Sequence, residues 1–163
     1  LDGGAALYGC NLYFFADRYA VNGDAAIGFW LFKSNVSLGS GGKFNGTHTV
    51  GDLLLISNFT NGGGAAEITA YEWVGTGGDQ KGGTLQSITL TSANYFATVN
   101  TTEVDSPWPY QPKDGTTNKF PAGAFFEGGV NLCSLAGIDG CFTSFMLETR
   151  VSQEITATLE TSY

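Results

Sequence analysis

The chain has 163 residues, with 24 glycines, aromatics at 13 % and charged residues at 13 %, about half the usual charged share. Seven Lys and Arg against fifteen Asp and Glu leave a net charge of −8, and the seven cations are scattered. A phosphate-binding surface is thereby excluded, since it needs clustered cations that release counterions, and so is a helical membrane span, which needs roughly 18 apolar residues in a row.

A chain of this length buries about 70 % of its unfolded surface and folds as one domain without help from a metal. Its first residue is Leu rather than Met, which reads as a processed or partly represented chain. The opening stretch, "LDGGAALYG" at 1–9, alternates: Leu1, Ala5 and Leu7 share odd positions with Gly3 and Gly9. It runs without a turn signal into "LYFFADR" at 12–18, a strand pattern.

After the turn "AVNGDA" comes "AIGFWLF" at 26–32, and "LLLI" at 53–56 is a short apolar run without alternation, which suits a strand covered on both faces. "AEITAYEWV" at 66–74 and "TLQSITL" at 84–90 follow, separated by Gly-rich breaks. "SPWPYQPKDG" holds three of the four prolines and is expected to be a rigid loop, not a central strand. "NLCSLAGI" offers the only helical turn, "CFTSFMLETR" at 141–150 a long strand, and "ITATLET" an alternating one with Ile155, Ala157 and Leu159 on one face. Strands and turns at about 8–12-residue spacing predict an all-β, jelly-roll-like sandwich or barrel with an extended N-terminal strand.

Few groups suggest chemistry. The single histidine, His48, has Asp52 as its nearest carboxylate in sequence, and a hydrogen-bonded strand histidine is the plainer reading. Glu127 and Glu148 sit in apolar contexts, as the acid of a glycosidase pair would, but Arg18 and Arg150 offer ion-pair partners. The chain is therefore not read as an enzyme. Asp17, Asn22 and Asp24 around Gly23 are candidate calcium ligands, although "NG" and "GD" are equally ordinary hairpin chemistry. Trp108 and Tyr110, on the proline-stiffened loop, are candidates to stack on a sugar ring or to plug one end of the sandwich.

Cys133 and Cys141 enclose seven residues and are candidates for a disulfide that leaves Cys10 over; three reduced thiols are the other reading. Four sequons, at Asn35, Asn45, Asn58 and Asn100, are glycosylation candidates wherever the chain meets a glycosylating compartment.

From Tyr13 onward the segments "YFFADRY", "NGDAAIGFW", "GTHTVGDLLLISNFTNGGG", "ITAYEWVG", "SPWPYQPKDG", "FFEGGVNL", "CFTSFMLETR" and "ATLE" resemble a family of exported bacterial β-sandwich domains of unassigned function. The resemblance implies a secreted, cell-surface or extracellular location and brings no catalytic residue. It also implies a longer N-terminal extension, whose Leu-Asp-Gly strand lies in the same sandwich, and a further cysteine before the Pro-rich loop as partner for Cys141. Here "LDGG" stands close before the strand at 12–18, and Cys133 is left to take the missing cysteine's place.

Antiparallel neighbours need a reversal of about two residues, and parallel ones about a dozen. With Gly9 as the only flexible joint, residues 1–9 are expected not to fold back beside 12–18. The chain is thus expected to divide into a donor segment, 1–11, and a sandwich domain, 12–163, that lacks one strand. A sibling's donor strand, with Leu1, Ala5 and Leu7 facing inward, would enter beside an acceptor edge near Ile155, Ala157 and Leu159. Donor and slot differ, so the partner is the chain itself in an open helical homopolymer, a pilus-like fibril. A carbohydrate-binding, adhesive module with glycan partners, with or without calcium, is the alternative.

Overall fold

The computed structural model describes residues 2–23, 25–59, 66–77, 83–135, 138, 141–150, 154–155 and 159–162. Its strands in chain order are β1 (Gly3–Tyr8), β2 (Asn11–Asp17), β3 (Ala25–Phe32), β4 (Ser37–Leu38), β5 (Phe44–Asn45), β6 (Leu53–Phe59) and β7 (Ile68–Gly75). They continue with β8 (Gly83–Ile88), β9 (Tyr95–Val99), β10 (Val104–Asp105), β11 (Lys119–Phe120), β12 (Phe125–Asn131), β13 (Ser144–Arg150) and β14 (Leu159–Ser162). The only helical pieces among the described residues are 3-10 turns at Ser40–Gly42 and Leu132–Ser134, so no described helix is long and apolar enough to cross a membrane.

The fold is an all-β sandwich. Four strands in the order β1-β2-β12-β9 form one sheet and six in the order β14-β13-β3-β6-β7-β8 form the other, with β4–β5 and β10–β11 as small antiparallel pairs. The core between the sheets takes Leu12 and Phe14 from β2, Ile27, Phe29 and Leu31 from β3, Leu53 and Leu55 from β6, and Phe126 and Val130 from β12. A second buried cluster lies on the far face of the six-stranded sheet, where Trp30, Phe32, Leu54, Ile56, Trp73 and Met146 pack with Val36. This is why β3 and "LLLI" carry apolar side chains at consecutive positions: one set enters each core.

Residues 3–8 do fold back beside 11–17, contrary to the expectation from sequence. β1 pairs antiparallel with β2 from Gly3↔Ala16 to Tyr8↔Asn11, so the whole reversal is Gly9–Cys10. Gly9 takes φ +57°, and a positive φ at the first central residue is what a two-residue hairpin with glycine in that place requires. The first eleven residues therefore do not form a segment apart; among them, Leu1 lies outside the described residues.

The cysteine pairing is also corrected. Cys10 bonds Cys133 with Cα atoms 5.4 Å apart, and Cys141 is free and exposed. The cause is register: β2 and β12 pair Asn11 with Asn131, and the Leu132 N–H donates to the Cys10 carbonyl at 2.8 Å, which sets the two thiols side by side.

Candidate functional site

The sandwich is unequal at one side. β1 is the outer strand of its sheet and stands over β13 in the other, where a Cβ at Gly3 would run into the Leu147 side chain. Two residues earlier on the same face of β13, Phe145 has no such cover and is 53 % exposed. A groove of about 180 Å³ opens there, lined by Ala5, Leu7, Leu31, Phe142 and Phe145 among others. β1 itself is thinly held: Ala5 packs partly against the inter-sheet core, while Leu7 and Tyr8 are exposed. Of the expected donor face, Ala5 and Leu7 thus line this groove. Of the expected acceptor edge, β14 does sit at the same border beside β13, Ile155 is exposed, Ala157 lies outside the described residues, and Leu159 opens β14.

The Pro-rich loop is a plug and not an exposed platform. Tyr110 is buried and its hydroxyl donates to the Arg18 carbonyl at 2.6 Å. Burial pushes that phenol up to about 12. Trp108 packs on Phe15, Phe120 and Phe125, and its Nε1 donates to Asp17 at 3.2 Å. Both candidate sugar-stacking rings are consumed in closing the end of the sandwich.

Of the candidate calcium ligands, Asp17 is spent for a related reason. Asp17 is fully buried and accepts from the Asp2 N–H at 2.9 Å as well as from Trp108; burial raises its carboxyl above the ordinary range, and these two donors pull it back. Asn22 is exposed in the turn, and Asp24 lies outside the described residues. The turn's carbonyls already face a fixed cation: Arg18 donates to Gly23 at 3.1 Å, to Val21 at 3.4 Å and to Gly123 at 2.8 Å. Among the described residues no three acidic, histidine or cysteine side chains converge.

On the far face of the six-stranded sheet, His48 does meet Asp52, Nδ1 to Oδ2 at 3.0 Å. Asp52 is fully buried and also accepts the Lys33 N–H at 2.8 Å and the Thr49 N–H at 3.0 Å. The ring stacks on Trp73 at 4.1 Å and lies 4.6 Å from Trp30. This dyad anchors the 33–52 segment as a roof over the second core, and the Ser34 hydroxyl pairs with Thr49 at 2.8 Å. Glu148 is buried against Arg150, which also donates to the carbonyls of Glu154 and Ile155 at 2.9 and 3.0 Å. Burial raises Glu148, while Arg150 and Trp30 pull it back. Glu127 is exposed on the other sheet, so the two glutamates cannot flank one glycosidic bond.

The sequons separate by burial. Asn35 and Asn45 are exposed at the β4–β5 hairpin. Asn58 is buried, and the Asn100 amide is spent: Nδ2 donates to Thr102, Phe120 and Pro121 while Oδ1 accepts from Phe125. An N-linked sugar on Asn100 would break that clasp, whereas Asn35 and Asn45 are exposed, and on Asn45 a sugar competes only with a 3.4 Å bond from Nδ2 to the Leu38 carbonyl. Sequence reasoning missed Phe142, Phe145 and the Cys10 bond. The signal for Phe145 was its parity with Leu147 in "SFMLE". Comparison of the chain with protein-family models, with curated proteins and with solved structures finds no match.

Proposed function

We propose that the chain is the subunit of an extracellular, pilus-like homopolymer in which β1 leaves its own sheet and a sibling's β1 takes its place along β2. The observation that carries this reading is the position of β1 outside the stapled body. The Cys10–Cys133 bond ties the start of β2 to the end of β12, and β1 lies on the far side of that bond across one glycine. A change of backbone direction at Gly9, ahead of the bonded Cys10, would carry β1 away from its own β2 while the staple holds. Short hinges of this kind favour exchange of an identical element between copies.

The ladder a sibling's β1 would form is the one β1 forms now, so exchange is nearly neutral in hydrogen bonding. New contact between copies then decides the balance. Leu7 and Phe145, 51 and 53 % exposed, supply apolar surface for it at the groove, and Tyr8, 74 % exposed, adds more on the other face of β1. Strand and slot are different surfaces, so the contact is head-to-tail and open-ended. A disulfide and two open sequons suit an oxidising, glycosylating route to the cell surface.

The test is a disulfide trap. Ala6 and Tyr13 are cross-strand partners, so Ala6→Cys with Tyr13→Cys, in a Cys141→Ser background, records whose β1 lies on β2. A ladder of linked oligomers on a non-reducing gel, together with filaments by negative stain, is the expected result. Intrachain bonds alone, at every concentration up to the highest reachable, overturn the reading.

A further inference from the structure

We propose that a cleft on the outer face of the four-stranded sheet binds a neutral saccharide. The cleft measures about 310 Å³, at the small end of the roughly 300–1,000 Å³ of ligand sites, which suits one or two sugar rings. It runs over β2, β12 and β9, and this locus is separate from the Pro-rich loop and from β1.

Its walls are aromatic. Tyr13 of β2 and Phe96 of β9 both point away from the core, 43 and 48 % exposed, with ring centroids 6.1 Å apart. Between them in register stands Gly129 of β12, paired to both Tyr13 and Phe96. A Cβ at Gly129 would run into the Phe96 ring, so the glycine is what lets that ring lie down on the sheet. The C–H face of a pyranose needs such an aromatic floor, and a flat sheet surface alone does not supply it.

The polar lining has the complementary chemistry. Asn11, Asn94 and Asn131 all border the cleft, and carboxamides both donate and accept, as the hydroxyl edge of a sugar demands. Asn131 Oδ1 is buried and accepts no hydrogen bond within the protein, although its backbone is satisfied: its N–H donates to the Asn94 carbonyl at 2.8 Å, and its carbonyl accepts from the Ser134 hydroxyl at 2.7 Å. A buried acceptor without a donor is uncommon and calls for a bound hydroxyl or water. Asn94 Oδ1 accepts from the Thr91 N–H at 2.7 Å, which leaves the Asn94 amide hydrogens for a ligand.

Charge selects the class of sugar. None of the described residues lining the cleft is charged, and Glu127 lies on the same face two residues from Gly129. Uronic acids and sulfated sugars find no cation there, so the ligand is a neutral hexose or N-acetylhexosamine.

Saturation-transfer NMR on the full chain tests this with four probes: the methyl glycosides of glucose, mannose, galactose and N-acetylglucosamine. The method tolerates large assemblies, so its outcome does not depend on whether the chain polymerises. At least one probe should show saturable transfer, weakened about tenfold or more by Phe96→Ala and by Asn131→Leu and unchanged by Tyr19→Ala, an exposed tyrosine elsewhere. Should Asn131→Leu fail to fold, Asn11→Ala replaces it as the polar variant. Absence of transfer from all four probes overturns the proposal, and so does transfer that survives Phe96→Ala.

Discussion

The two sheets of this sandwich treat their outer faces in opposite ways. The six-stranded sheet is roofed: the 33–52 segment and the Trp30, Phe32 and Trp73 rings bury a second core there, together with Glu148 and Arg150. The four-stranded sheet is covered only at one end, where Trp108 lies on Phe15 and Phe125; the rest of its outer face is bare, and Tyr8, Tyr13 and Phe96 stand in solvent there. Nearly every group that reads as chemistry in the sequence lies under the roof or in the end plug, where its hydrogen bonds are already taken. Histidine beside aspartate, and glutamate beside arginine, are here the fastening of a lid. Among the described residues the bare face holds no titratable pair, yet it carries the open aromatic floor and an unanswered acceptor. A familiar combination of side chains is therefore weaker evidence of function than an unspent one.

If the roofed groups are structural, removing them must cost stability. The largest effect is expected for Arg150→Met, which strands the Glu148 carboxyl in a buried site. Breaking one side of a buried pair costs about 3–5 kcal/mol, read as a lowered denaturant midpoint. The loss should depend on pH with a definite sign. Glu148 is already raised above its ordinary 4.5 by burial, and without Arg150 it rises further. A raised carboxyl contributes its stability in full below the ordinary value and loses it as pH climbs through the raised one. The variant should therefore be closest to the wild type in acid and fall away toward neutrality. A flat difference across that range would place Glu148 outside the buried pair.

Asp52→Asn is expected to follow at about 1–3 kcal/mol, because the carboxylate accepts from two backbone N–H groups and from His48 at once. Hydrogen exchange should quicken in the 33–52 segment while the β2–β12 ladder stays protected. Uniform loss of protection would mean that the roof and the sandwich unfold as one unit, which erases the distinction between them.

Much of the roofed side was legible. Consecutive apolar residues in "LLLI" announce burial on two faces, and that strand receives it, as does "AIGFWLF" beside it. The proline-dense loop was legible as a loop, and a plug at one end of the sandwich was a reading open for Trp108 and Tyr110; their partners, Asp17 and the Arg18 carbonyl, were not legible. The β1 reversal was hidden because Gly9–Cys10 lacks the Asn-Gly or Asp-Gly signature, leaving one glycine to carry a whole turn. Cys10 and Cys133 are 123 residues apart in sequence, and only the β2–β12 register joins them. Nothing in the sequence likewise joins Tyr13 to Phe96, which come together only because β12 pairs with both their strands. What could not be read was long-range register, which no local pattern encodes.

The smallest expected effect concerns the bare face. Replacing both Tyr13 and Phe96 by Thr keeps strand propensity and removes the aromatic floor. Each ring is about half exposed, so the pair contributes little burial beyond the ring contact with each other and with Gly129. The midpoint should shift by less than about 1 kcal/mol, in contrast to the losses under the roof. A shift as large as that of Asp52→Asn would make these rings part of the fold's fastening, and the bare face would then be no more unspent than the covered one. A small shift leaves two aromatic side chains whose presence stability does not explain, as the proposed saccharide cleft requires.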